Sequence, residues 1–237
     1  MKHTRGWFAA AALLCALAAQ TRADGEPPKD LAALEEQFEK SETPRNENYV
    51  AMRPDFEAFA KAHAGTKEGL AAKLWLLQNT WWLKDDKGSM EDAAAKLADE
   101  IFAEYPKSED LAKIADWSYV FRKDKHAEYL AKLMSAKFPP AVRAAAGLAN
   151  AIGVKRGANP ADADALFAAL AKDYGKLARG YTTYAAVADA YLHPLAPADI
   201  AIGKIAPDIV GSSPDGRAMK LSDFKGRVVV IDFFGDW

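Results

Sequence analysis

Asp232 lies inside the apolar run "VVVIDFFGDW", which occupies residues 228–237, and Trp237 stands at its far end. A carboxyl held in such a strand is driven toward its neutral form by desolvation and can then relay a proton. The plainer role for it is a carboxylate at a strand end that reaches solvent or a lysine. Other reactive types are scattered. His63, His126 and His193 show no ligand spacing, so no metal site is expected from them. Lys84 to Lys87, "KDDK", reads as a solvated turn before Gly88 and not as a catalytic carboxylate pair. Trp75, Trp81 and Trp82 in "WLLQNTWW" could form an aromatic platform. Leu74, Trp75, Leu77 and Trp81 also fit one buried helical face, and that is the preferred reading. Thiolate chemistry has one candidate, because Cys15 is the single cysteine.

Cys15 sits in "GWFAAAALLCALAA", an apolar run behind the basic start "MKHTR" and ahead of "TRADGEPP". This order reads as a secretory signal, residues 1–23, cut after Ala23; the run is shorter than the ~20 residues a bilayer span needs. Export to the periplasm or another extracytoplasmic space follows. The remaining chain would hold no cysteine, hence no disulfide and no thiolate metal site. Removing Lys2, Arg5 and Arg22 takes 31 basic residues to 28 against 33 acidic ones, a net charge near −5. The signs are interspersed, so neither nucleic acid nor an anionic membrane surface is an expected partner.

Residues 24–200 are rich in Ala, Leu, Lys and Glu with apolar positions three and four apart, a helical pattern. In "MEDAAAKLADEIFAEYP", Ser89 is the expected N-cap, Glu91 and Asp92 favour the first turn, Ala94, Leu97, Ile101 and Phe102 line one face, and Pro106 ends the helix. Similar endings recur at Tyr105, Phe138 and Tyr174, which are 33 and 36 residues apart. A period of about 34 predicts a degenerate array of helical hairpins of the tetratricopeptide kind. Such an array either presents a groove to a partner protein or serves as a spacer or dimerisation module.

Beyond about Ile200 the periodicity stops, and Pro194, Pro197, Gly203 and Pro207 punctuate the chain. "SPDG", Ser213 to Gly216, predicts the turn of a β-hairpin. "LSDF" predicts one helical turn capped by Ser222, and Lys225-Gly226 turns the chain into the apolar strand. The continuous Val, Ile and Phe of that strand suit burial on both faces, as in a sheet flanked by helices.

In order, "GKIAPDI", "DGRAMKLSDFKG" and "VVVIDFFGDW" resemble the opening of the redoxin branch of the thioredoxin-like superfamily, the TlpA/ResA-type extracytoplasmic thiol–disulfide oxidoreductases related to the AhpC/TSA peroxiredoxins. The resemblance covers residues 201–237. Together with the helical array ahead of it, this gives a chain that is mainly α, built of helical hairpins, followed by what the resemblance implies, the first β-hairpin and strand of an α/β thioredoxin-like domain. It also implies that a Cys-x-x-Cys would begin right after Trp237 at a helix N-terminus, where a thiolate is stabilised, so that no catalytic cysteine is present and the sequence is cut short of its site. A stop codon read as selenocysteine, a frameshift, a nonsense mutation or a partial sequence would each give that ending. Asp232 would then relay a proton to the resolving thiol, and Trp237 would shape the surface that docks a partner disulfide.

The expected activity is disulfide exchange with protein substrates, drawing on an unidentified electron donor and needing no cofactor. A peroxiredoxin-like antioxidant enzyme fits less well, since "FFGDW" lacks the Pro-containing segment and Thr of that group. The third reading is a non-catalytic helical scaffold.

Overall fold

The computed structural model describes residues 30–83, 89–157, 159–213 and 215–232. The expected signal segment, Cys15, the "KDDK" turn and Trp237 lie outside the described residues. The chain divides into two compact units, the first ending at Tyr129 and the second beginning at Leu130.

In the first unit α1 (Leu31–Lys40), α2 (Arg45–Ala62), α3 (Lys67–Asn79) and α4 (Ser89–Glu104) follow one another. The short α5 (Ala112–Asp116) and the first part of α6 (Lys123–Leu133) complete it. Asp30 caps α1 by accepting from the Ala32 amide at 3.0 Å. At the other end the orphan carbonyl of Phe38 accepts from Arg45 Nη1 at 2.9 Å and from the buried Asn48 Nδ2 at 3.0 Å, which ties α1 to α2. Between α2 and α3 the chain reverses at Gly65, whose φ of +74° suits glycine. Its N–H donates to Glu104 Oε1 at 2.9 Å and to Tyr105 Oη at 3.0 Å. The Lys73 ammonium donates to Glu104 Oε2 at 2.6 Å, joining α3 to the end of α4 and holding the Glu104 carboxyl below its usual range.

The core of this unit gathers Phe38, Tyr49, Met52, Phe56, Phe59 and Leu76, with Trp75 packed against them. The Trp75 ring stacks on Phe56 at 3.6 Å between centroids and meets Phe38 edge-on at 5.0 Å. Trp75, Leu74 and Leu77 therefore serve the core, as the helical spacing predicts. Trp81 departs from that expectation. It falls in the 3-10 turn Thr80–Leu83 and not on α3, and with the phase broken it is 38% exposed and meets Tyr119 edge-on. Burial pushes the Tyr49 hydroxyl up to about 12, and that hydroxyl donates to Leu76 O.

In the second unit α7 (Pro140–Lys155), α8 (Asp162–Tyr174) and α9 (Tyr184–Leu192) pack successively. Ala144, Leu148 and Ala151 of α7 meet Phe167 and Leu170 of α8 and Tyr184 and Ala188 of α9. The Phe167 ring stacks on Tyr191 at 4.4 Å. Phe138 corrects the expected helix ending: α6 stops at Leu133, and Phe138 is a buried loop residue whose following prolines start α7. The helical reading is also interrupted by a small antiparallel hairpin, β1 (Ala178–Arg179) and β2 (Thr182–Thr183), turning at Gly180 with φ +61°. The described residues are thus mostly helical with two small hairpins, the second lying in residues 201–232. No described helix is long and apolar enough to cross a membrane.

Candidate functional site

The segment from Gly203 to Asp232 carries the motifs singled out above. β3 (Val210–Ser212) pairs antiparallel with β4 (Ala218–Lys220), with Val210 opposite Lys220 and Ser212 opposite Ala218. The predicted turn closes the pair. Gly216 takes φ +81°, its N–H donates to Ser213 O at 2.8 Å, and the Ser213 N–H donates to Arg217 O at 2.9 Å. Asp215 accepts from the Ser213 hydroxyl and from Arg217 Nε, so the turn is polar on its solvent side.

The 3-10 turn Leu221–Phe224 follows, but Ser222 does not cap it. Asp223 accepts from the Lys220 N–H at 3.0 Å, and Ser222 is itself a donor. Its N–H and hydroxyl both donate to the Asp208 carboxylate, at 2.7 and 2.8 Å. This two-point clamp joins the residues before β3 to those after β4, and Leu221 N donating to Ile209 O at 2.9 Å continues the ladder beside it. The Ser222 hydrogen bonds hold the Asp208 carboxyl below its usual range. Because the folded value is lowered, the clamp's contribution is present above about pH 4 and is lost as pH falls through the folded value. Asp208→Asn should raise the exchange rate of the Ser222 amide roughly three- to tenfold at neutral pH, read by hydrogen exchange, and remove its acid dependence.

Gly226, at φ +83°, then redirects the chain into the apolar run as expected. Residues 228–232 make no ladder with another strand among the described residues. Exposure alternates along them, 98% at Val228, 43% at Val229, 90% at Val230 and 45% at Ile231, the period of two of an extended chain. The covered strand of the sequence reading is therefore uncovered on both faces. Asp232 is exposed, and the described residues do not supply the burial its relay role needs.

No cysteine is among the described residues, and no three of His, Cys, Asp and Glu gather there as a metal set. The histidines have separate surroundings. His63 stacks on Phe59, His193 Nδ1 lies 2.8 Å from Asp189 Oδ1, and His126 Nε2 lies 3.2 Å from Ala115 O with its pKa pushed down by burial.

Sequence reasoning did not find a groove of about 430 Å³ in the first unit, bordered by Tyr49, Arg53, Glu57, Lys73, Lys96 and Glu100. Arg53 pairs there with Glu57 at 2.6 Å and Lys73 with Glu104, while Lys61 and Lys96 also border the groove.

A stretch of 60 residues, 25% of the chain, is 38% identical to the thiol–disulfide oxidoreductase ResA of Geobacillus thermodenitrificans and covers 31% of that protein. The chain thus spans about a third of the length of the curated relative it matches. No family model matches the chain, and no solved structure does. The partial likeness supports a thioredoxin-like relationship over the matched stretch.

Proposed function

We propose that this chain is the N-terminal part of an exported thiol–disulfide oxidoreductase, in which the helical hairpins hold a partner protein and the thioredoxin-like segment leads into a dithiol that follows Trp237. The observation that carries this reading is the likeness to a thiol–disulfide oxidoreductase, joined to a clamped hairpin that delivers an apolar extended segment. In the complete protein that segment is a central strand, Asp232 serves the resolving thiol and Trp237 borders the docking surface. The uncovered valines of residues 228–230 are what such a strand shows before its neighbours are in place.

The chemistry needs no cofactor. One thiolate attacks a sulfur of the substrate disulfide, that S–S bond breaks, and the departing thiolate takes a proton. The second cysteine, deprotonated with help from Asp232, then attacks the mixed disulfide. It releases the second substrate thiol and leaves the protein disulfide, which a dithiol donor must reduce by two electrons. A selenocysteine in place of the first thiol would run the same steps.

A non-catalytic scaffold is the second reading, favoured by the groove in the first unit and by the absence of cysteine among the described residues. Two measurements separate the readings. The nucleotides after the Trp237 codon are expected to continue in frame to a Cys-x-x-Cys or its selenocysteine equivalent. A chain extended through them is expected to reduce a model disulfide well above background, with the 237-residue chain at background. An extended chain that cannot reduce the disulfide overturns the enzyme reading.

A further inference from the structure

A second cavity, of about 630 Å³, lies wholly within the second unit between the start of α7 and the end of α8. Its border carries Arg143, Lys172, Asp173, Tyr174 and Lys176, three cations against one carboxylate in a chain whose net charge is −2. None of the three forms an ion pair among the described residues.

Arg143 is the telling member. Its Nε is buried with no hydrogen-bond partner among the described residues, although buried donors are almost always satisfied. The guanidinium lies over the Tyr174 ring, 5.6 Å from its centroid. Lys172 stands in the last turn of α8, where the carbonyl end already favours a cation. Arg143 has the Tyr174 ring alone, and Lys176 lies beyond the end of the helix. α7 moreover starts at Pro140, which borders the cavity, and its N-cap residue Pro139 provides no side-chain cap, so its first amides are left to solvent or a ligand.

We infer that this cavity binds a small molecule through an oxyanion, a phosphate or a carboxylate, received by the Arg143 guanidinium with Lys176 and Lys172 at the rim. The guanidinium fork matches either group in a bidentate way, and the Tyr174 ring offers an apolar wall for the rest of the ligand. The Asp173 carboxylate disfavours large polyanions and sets a preference for ligands of one or two charges. This inference does not depend on the dithiol.

The test is calorimetric titration of the 237-residue chain with inorganic phosphate and, separately, with succinate, at an ionic strength held constant with chloride. Binding of at least one of the two with a dissociation constant in the millimolar range or below is expected. Phosphate alone marks a phosphate ligand, and succinate alone marks a carboxylate. Arg143→Gln should weaken it at least tenfold. The double variant Lys172→Gln, Lys176→Gln, at two exposed positions that leave the core untouched, should weaken it severalfold, and Lys225→Gln should leave it unchanged. Titrations with no heat beyond chloride, or a double variant that binds as tightly as the parent, overturn the inference.

Discussion

Replacing Phe56 with alanine is expected to lower the stability of the first unit by about 4 kcal/mol. The ring is fully buried and lies flat on the Trp75 indole, 3.6 Å between centroids and 1° between planes. Tyr49, Met52 and Phe59 of the same helix belong to the same cluster, and none can swing far enough to refill the space without leaving its own. The lost transfer energy is therefore joined by a cavity cost. Urea denaturation followed through tryptophan fluorescence reads the loss directly, since Trp75 reports on the contact removed. Phe56→Leu, which keeps most of the volume, should cost roughly 1–2 kcal/mol. A Phe56→Ala midpoint within error of the parent would mean that this stack is not part of the folding core.

The second large effect is expected from a change of one methyl group. A Cβ added at Gly69 would lie 2.1 Å from the His63 carbonyl oxygen and 3.0 Å from Tyr105 Oη. The first of these is backbone and is held by the turn around Gly65, so relief must come from moving α3 against the end of α2. Alanine gains about 1 kcal/mol over glycine inside a helix, yet overpacking of this kind typically costs 1–3 kcal/mol or more. A net loss of about 2 kcal/mol is expected for Gly69→Ala. Gly153, inside α7, supplies the contrast, because a Cβ there meets nothing within 4 Å. Gly153→Ala should stabilise by up to about 1 kcal/mol. The pair of opposite signs, read from thermal midpoints, tests the packing rather than the helix propensity.

The helices were readable because their spacing is local. Ala94, Leu97 and Ile101 recur at three- and four-residue intervals with Phe102 beside them, and the structure buries Ala94, Ile101 and Phe102 on α4 and Leu97 in part. The "SPDG" hairpin and the Gly226 turn were readable for the same reason, since each rests on neighbouring residues. What escaped the sequence rests on contacts between distant positions. Asp208 and Ser222 are 14 residues apart, so capping rules that look three residues ahead assign Ser222 the wrong role. Lys73 and Glu104 are 31 apart, and no spacing rule pairs them. The small hairpin at Gly180 had a signal, a glycine ahead of Tyr181, Thr182 and Thr183. It was outweighed by the helical periodicity on both sides. Trp81 was misplaced because one 3-10 turn shifts every later residue around the helix axis. Of the candidate site, the order of motifs was legible, whereas the exposure of Asp232 was not, because burial is set by contacts with distant residues and not by the local apolar pattern.

The Asp208 clamp also bears on when this part of the molecule takes shape. Its turn, its ladder of three residue pairs and its carboxylate–serine bridge all join positions no more than 14 residues apart. Bringing such near neighbours together loses little chain entropy, and hairpins of this size form in about 1–10 μs. The segment can therefore be in place while a ribosome is still adding residues at about 5–20 per second. Its contacts all lie within residues 208–222, so it can form independently of the helices made before it.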